Sequence, residues 1–236
     1  MSERLPHDPG LDRVGALGGF AFTACALVAT AVVPVAPAVD DPTGEIRSYL
    51  IDHQTRLGVS TVFIAAAALS LIGFVAMVHR RLAATGRHPV AAGAFLVAGA
   101  ATITLELLGS LVEAVLVQRI APSTDEATVA AWYWLWDMVS FTGPPLAVNL
   151  AVAVAALVLF RDDAAVPRWL AVVAAASVFA SVPGLVVDLA TDTVYPVPLD
   201  LAGFFLANLW IVGLSVTALR SPGRAAAPAA ATPTPA

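Results

Sequence analysis

The sequence predicts an all-α polytopic membrane protein with six transmembrane helices, and three observations support this fold class. Of the 236 residues, 59% are hydrophobic and only 12% are charged, which is about half the charged fraction of a soluble domain. Six apolar stretches are each long enough to cross a hydrocarbon core of ~30 Å, which takes about 20 helical residues. The basic residues, all of them arginines, fall mainly into alternate connections between these stretches.

The connections justify the spans in chain order. The predicted spans cover residues 14–35, 57–79, 90–113, 138–160, 169–188 and 201–219. Nine arginines would lie on one side of the membrane: before the first span, between the second and third, between the fourth and fifth, and after the sixth (Arg4, Arg13, Arg80, Arg81, Arg87, Arg161, Arg168, Arg220 and Arg224). Only Arg47, Arg56 and Arg119 would lie on the other side. Because cytoplasmic loops carry the excess of arginine, this predicts cytoplasmic amino and carboxyl termini.

The acidic residues show the opposite bias, since eight of them would be external: Asp40, Asp41, Glu45, Asp52, Asp125, Glu126, Asp192 and Asp200.

With arginines on one side and acids on the other, we expect a protein of the plasma (inner) membrane. Its parts would be a cytoplasmic segment 1–12, a membrane domain 13–220 and a disordered Ala/Pro-rich cytoplasmic tail 221–236. An alternative is a secretory signal that ends at Ala36-Pro37-Ala38, which would leave five spans.

The external segments carry three local patterns. Ile46, Tyr49, Leu50 and His53 recur at helical spacing, which predicts an amphipathic helix lying on the bundle rim or acting as a ligand lid. The run 123–126 (STDE) matches a capping box with Ser123 as N-cap. The aromatic residues that follow predict a belt at the outer headgroups, with an aromatic cage as the alternative (Trp132, Tyr133, Trp134 and Trp136).

Polar groups inside the predicted spans point to one depth. Counted at 1.5 Å per residue from the inner side, Glu106 lies ~24 Å into its helix. The helix-breaking pairs of the fourth and fifth spans reach a similar level (Gly143, Pro144, Pro145, Pro183 and Gly184). Thr102, Glu106, Gly109 and Glu113 form one stripe that should face the bundle interior.

We therefore predict an outward-facing polar cavity that is floored near Glu106 and ringed by Glu113, Asp137 and Asp188. Such a cavity would attract a small cation, a proton or an amine-bearing solute. The alternative is that Glu106 is protonated or hydrogen-bonded to a neighbouring helix and that the other acids are interfacial. Asn149 and Asn208, near the midplane, are expected to form interhelical hydrogen bonds, and Gly15-x-x-x-Gly19 to serve packing or dimerisation.

Several chemistries have no support in the sequence. No catalytic constellation, P-loop, HExxH motif or Cys/His cluster occurs, so no catalytic residue, metal ligand or cofactor is predicted. Cys25 is the single cysteine, which excludes an internal disulfide. Nucleic-acid binding is not indicated, and the predicted partners are the lipid bilayer and a small cation or solute.

Two short motifs carry a resemblance to a known family. Arg56-Leu57-Gly58 opens the second span, and Val166-Pro167-Arg168-Trp169-Leu170 precedes the fifth. With the span spacing, they make the chain similar to a family of uncharacterised bacterial six-helix membrane proteins over about residues 10–220. The resemblance implies a membrane bundle and no substrate.

Two functions stay open from the sequence. One is a carrier that binds a small cationic solute or a proton in the outward-facing cavity, and the other is a non-catalytic accessory or envelope-stress protein that binds a protein partner through its external loops.

Overall fold

The computed structural model describes residues 9–84, 88–162, 166–191 and 198–220. Within these ranges it describes all side chains except those of residues 9, 141–143, 145–146, 160–162, 184–191 and 198–200. The described chain is helical and contains no strand, which confirms the all-α class. The predicted tail 221–236 and the acid at position 192 lie outside the described residues.

Nine α-helices and two π-helical turns follow one another along the described chain. Their bounds are α1 Pro9–Val32, α2 Thr43–Asp52, α3 Gln54–Ala84, α4 Pro89–Val115, π1 Leu116–Ile120, α5 Ala121–Ser123, α6 Glu126–Asp137, π2 Met138–Thr142, α7 Gly143–Asp162, α8 Arg168–Thr191 and α9 Pro198–Arg220. The chain stays helical from Glu126 to Asp162, because π2 joins α6 directly to α7.

The six long helices α1, α3, α4, α7, α8 and α9 form a ring in chain order. Each packs against the next, and α9 packs back against α1 and closes the ring. In the described residues, four of these helices are long and apolar enough to cross a membrane: Gly10–Val32, Gln54–Ala84, Pro89–Ser123 and Leu201–Arg220. The apolar stretches of α7 and α8 are shorter there, at Ala147–Leu159 and Arg168–Pro183.

Two hydrophobic cores hold the structure together. The larger one lies inside the ring, where Phe74 of α3 and Trp210 of α9 meet edge to face at 6.1 Å between ring centroids. The second, which we call the outer core, joins α2 to α6 and to the adjoining ends of α3 and α4. The segment between α1 and α2 belongs to it, since the hydroxyls of Tyr49 and Tyr133 donate to the carbonyls of Pro34 and Pro37 at 3.1 and 2.7 Å.

The predicted amphipathic helix is α2, and its apolar face is confirmed. Ile46, Tyr49 and Leu50 are buried in the outer core, while polar residues of the same helix point outward. His53 ends the helix, and its ring lies 4.9 Å from that of Tyr49. The helix is thus a fixed part of the outer core.

Glycines bring α1 against two neighbours. A Cβ on Gly18 would lie 2.5 Å from the Ser70 carbonyl oxygen, and one on Gly15 would lie 2.8 Å from the Gly73 carbonyl oxygen, both on α3. Gly19 instead faces α9, where it meets the Ser215 hydroxyl. The small-residue motif of α1 therefore serves packing within the chain.

The same pairing of glycine with serine recurs at other crossings. Gly109 of α4 meets Ser140 of π2, with 2.7 Å between an added Cβ and the Ser140 Oγ. Gly203 of α9 meets Ser181 of α8 in the same way. Serine hydroxyls thus fill the space that the missing glycine side chains leave, and the helix backbones approach closely.

Two local predictions for the external segments are wrong. The cap of α6 is Asp125 rather than Ser123, because Asp125 accepts hydrogen bonds from the N–H and hydroxyl of Thr128 at 3.0 and 2.8 Å. Ser123 instead donates to the Arg119 carbonyl in the preceding turn. Of the predicted aromatic belt, Tyr133 and Trp136 are buried in the outer core, and the exposed member is Trp134, with 54% of its surface accessible.

We predict that Gly18→Ala lowers the free energy of unfolding by about 1–3 kcal/mol, because the new Cβ must push α1 away from the α3 backbone. Gly93→Ala is the matched control, since nothing lies within 4 Å of a Cβ there and alanine favours a helix over glycine by about 0.5–1 kcal/mol. Thermal unfolding of both variants in lipid nanodiscs measures the difference. Equal stability of the two variants would contradict the close α1–α3 contact.

The α6 cap predicts an acid-dependent stability. Hydrogen bonds from the Thr128 N–H and hydroxyl hold the pKa of Asp125 below its ordinary value of 3.8. A lowered folded-state pKa stabilises the fold at pH above the unfolded-state value, and this contribution is lost as the pH falls through the folded-state value. The difference in Tm between the native chain and Asp125→Asn should therefore shrink below about pH 4. A difference that stays constant with pH would contradict the charged cap.

Candidate functional site

The polar stripe of α4 faces the interior of the bundle. Thr102, Gly109 and Glu113 are buried, and Glu106 lies between them on the same face. Glu106 keeps part of its surface accessible although its stripe neighbours are covered. The stripe thus forms the side of α4 that packs into the bundle.

Glu113 is the most deeply buried carboxyl group of this region. Its side chain is 2% exposed, and its Oε1 atom accepts no hydrogen bond. The hydroxyl of Thr61 on α3 lies next to this carboxyl group and donates its proton to the Leu57 carbonyl at 2.9 Å. In the described part of the chain no basic side chain pairs with Glu113. A buried carboxyl without an ionic partner is costly to keep charged.

The Gly109–Ser140 contact fixes how far α4 is shifted along the continuous helix of α6, π2 and α7, which runs in the opposite direction. One turn inward from this contact, Glu106 comes level with Gly143 and Pro144. One turn outward, Glu113 comes level with Asp137. Pro144 is buried at this boundary. The contact thus brings Gly143 and Pro144 of α7 level with Glu106 of α4.

Each of the two outer acids adjoins a π-helical turn. Glu113 lies in the last turn of α4 before π1, and Asp137 is the last residue of α6 before π2. Asp137 is buried, with 9% of its surface exposed. A π turn holds one residue more than an α turn and is often found at functional sites. The second of these turns, π2, joins α6 to α7, so the helix continues through Gly143-Pro144-Pro145.

Helix α8, the predicted fifth span, is not interrupted at its proline. Pro183 lies inside α8 and is exposed, so it bounds no interior space. The position of α7 along α8 is fixed by Asn149, whose Oδ1 accepts a hydrogen bond from the Ser177 hydroxyl at 2.7 Å. About one and a half turns from this bond, Pro144 of α7 and Pro183 of α8 come to nearly the same level. The side chains of Asp188, Gly184, Gly143 and Pro145 lie outside those that the structure describes.

The two asparagines that were expected near the midplane form different kinds of hydrogen bond. Asn149 makes the expected interhelical bond, and the same Ser177 hydroxyl lies 2.9 Å from the Gly203 carbonyl oxygen, so three helices meet there. Asn208 does not form the predicted interhelical bond, since its Nδ2 donates to the Phe204 carbonyl of its own helix at 3.0 Å. Its Oδ1 is buried and accepts no hydrogen bond.

A buried charge cluster at the opposite end of the ring was not predicted. Asp12 of α1 is 1% exposed and forms ion pairs with Arg80 and, at 3.3 Å, with Arg81 of α3. Nearby, the His79 ring nitrogen lies 2.9 Å from the Ala92 carbonyl of α4. From the sequence, Asp12 was placed in the terminal segment 1–12, and the arginines were explained by membrane topology. An acidic residue next to the small-residue motif of α1 is the sequence feature that could have indicated the ion pairs.

No catalytic or metal constellation accompanies these acids in the described residues. Across 9–84, 88–162, 166–191 and 198–220, no three His, Cys, Asp or Glu side chains are grouped to hold a metal ion. Comparison of the chain with protein-family models, with curated proteins and with solved structures gives no match. Any function inferred for the chain therefore rests on the positions and the burial of its acidic residues.

We predict that Asp12→Asn lowers the free energy of unfolding by roughly 3 kcal/mol, because it leaves two arginine charges without their buried partner. Asp52→Asn, at an exposed position of α2, is the matched control and should change stability by less than about 0.5 kcal/mol. Denaturant or thermal unfolding in nanodiscs measures both. If Asp12→Asn were as stable as the control, the ion pairs would not hold α1 to α3.

Proposed function

We propose that the chain is a six-span membrane protein whose α4 stripe binds a small cation or a proton that enters from the outer side. The six-span arrangement is supported by the surface of the bundle. Every long helix exposes large apolar side chains, as Leu17, Leu69, Val97, Leu157, Phe179 and Leu209 do. A protein in water rarely exposes so large an apolar surface, whereas lipid requires it. The resemblance to six-helix bacterial membrane proteins fits the same arrangement.

The proposed orientation, with both termini in the cytoplasm of a plasma (inner) membrane, rests on the grouping of charges. The end of the ring that holds Asp12 also carries Arg13, Arg80, Arg81, Arg168 and Arg220, at the starts of α1 and α8 and the ends of α3 and α9. The end with the outer core carries Arg47, Arg56 and Arg119. An excess of arginine marks the cytoplasmic side.

The observation that carries the proposed binding role is Glu113. A buried carboxyl group with an oxygen that accepts no hydrogen bond, and with no basic partner in the described chain, attracts a cation or takes up a proton. Glu106 lies two turns further along the same stripe, between the buried residues Thr102 and Gly109. Together the two carboxyls provide a polar path from the outer core toward the middle of the bundle.

The test uses Glu113→Gln and Glu106→Gln, which keep the side-chain shape and remove the charge. In nanodiscs of phosphatidylcholine, sodium and ethylammonium chlorides are added and Tm is followed by tryptophan fluorescence. We expect at least one cation to raise the Tm of the native protein, because a ligand that binds only the folded state stabilises it. The rise should be lost in both variants and kept in Glu45→Gln, whose side chain is exposed.

A second measurement separates binding from a structural role. Without ligand, Glu113→Gln should unfold within about 1 kcal/mol of the native protein, because no ion pair is lost. A strongly destabilised Glu113→Gln protein would indicate that the carboxyl group serves the fold. A cation response that is absent from the native protein, or unchanged in both variants, would contradict the proposed function.

The alternative role, binding of a protein partner through the external loops, has one observation in its favour. Trp134 is exposed beside the buried aromatic residues of α6. The rest of the predicted aromatic cluster packs in or against the outer core, and so do Ile46, Tyr49 and Leu50 of α2. The cation site therefore remains the function that the geometry supports best.

A further inference from the structure

An open groove lies at the outer end of α3, where π1 passes it. The groove has a volume of about 500 Å³ and is lined by Gln54, Thr55, Gly58, Val59, Val62, Phe63 and Gln118. One wall is polar, since Gln54 Nε2 donates to Gln118 Oε1 at 3.1 Å across the two helices. The other wall is apolar and open to the surroundings, and Val62 is 66% exposed there.

The floor of this groove is close to Glu113. Gln54, Gly58 and Thr61 follow i, i+4, i+7 along α3, so they form a single stripe. Gln118 faces Gln54 and Gly58 on this stripe, and Glu113 lies next to Thr61, one turn further inward. Gly58 leaves the floor open, because the nearest neighbour of an added Cβ is the Gln118 amide at 3.9 Å.

We propose that this groove is a lateral entrance through which the alkylammonium head of a single-chain amphiphile, dissolved in the outer half of the bilayer, reaches Glu113. The inference rests on the proposed function of Glu113. The carboxyl group supplies the charge that an ammonium requires, and the oxygens of Gln54 and Gln118 accept its hydrogen bonds on the way. The alkyl chain lies along Val59 and Val62 on the lipid side.

Access to Glu113 requires the Gln118 side chain to move. Gln118 is exposed, and a hydrogen bond of this kind contributes only about 1 kcal/mol. Its rotation would open the path from the groove to the Oε1 atom of Glu113 without a change in the helices.

The experiment compares three probes in phosphatidylcholine nanodiscs: dodecylammonium, dodecanol with the same chain and no charge, and ethylammonium with the charge and a short chain. The native protein should gain Tm with dodecylammonium and not with dodecanol. Gly58→Leu fills the groove and should weaken the apparent Kd for dodecylammonium by about tenfold or more, which corresponds to about 1.4 kcal/mol. Gly93→Leu, at an open position far from the groove, should bind like the native protein.

The outcomes separate this inference from the proposed function. An unchanged dodecylammonium response in Gly58→Leu, or stabilisation by dodecanol equal to that by dodecylammonium, overturns the groove alone. A cation response of the native protein that Glu113→Gln leaves intact overturns the proposed function as well. Should Gly58→Leu fail to fold, Val62→Ser replaces it: a polar side chain at this exposed position should weaken dodecylammonium binding, because the alkyl chain loses an apolar contact, and leave a response to ethylammonium through Glu113.

Discussion

The bundle depends on helix backbones that approach each other at glycines. α1 touches α3 at Gly15 and Gly18 and touches α9 at Gly19, so a single helix joins the beginning of the ring to its end. In lipid, apolar side chains gain little by leaving their surroundings, and close van der Waals packing drives association instead. At the glycines the helix backbones come close enough for this packing. Serine side chains opposite Gly19, Gly109 and Gly203 fill the remaining space.

This constraint also determines where the polar groups lie. The Gly109–Ser140 contact holds α4 against the helix that contains π2, and the acids on either side of the contact are thereby brought to defined levels. Glu106 and Glu113 thereby lie two turns apart on one inward-facing stripe of α4.

The all-helical fold could be predicted from the sequence because long apolar stretches are a strong local signal for helices that can cross a membrane. The inward stripe of α4 and the buried face of α2 follow from helical spacing alone. The pairing of Asp12 with Arg80 and Arg81 could not be predicted, since it joins residues far apart in the chain. The α6 cap was misplaced because Ser123 and Asp125 both suit an N-cap, and the preceding helix extends through Ser123. The π turns have no reliable sequence signal, so the helix was expected to break at Gly143-Pro144-Pro145.

The ring order of the helices has a consequence for biosynthesis. Each long helix packs on the one synthesised just before it, so most neighbours can pair as the chain emerges. The exception is the seam between α1 and α9, whose partners are separated by almost the entire chain. Closure of the ring must therefore wait for the last helix, and a ribosome stalled before that point would leave the Gly19 face of the first helix uncovered in the bilayer.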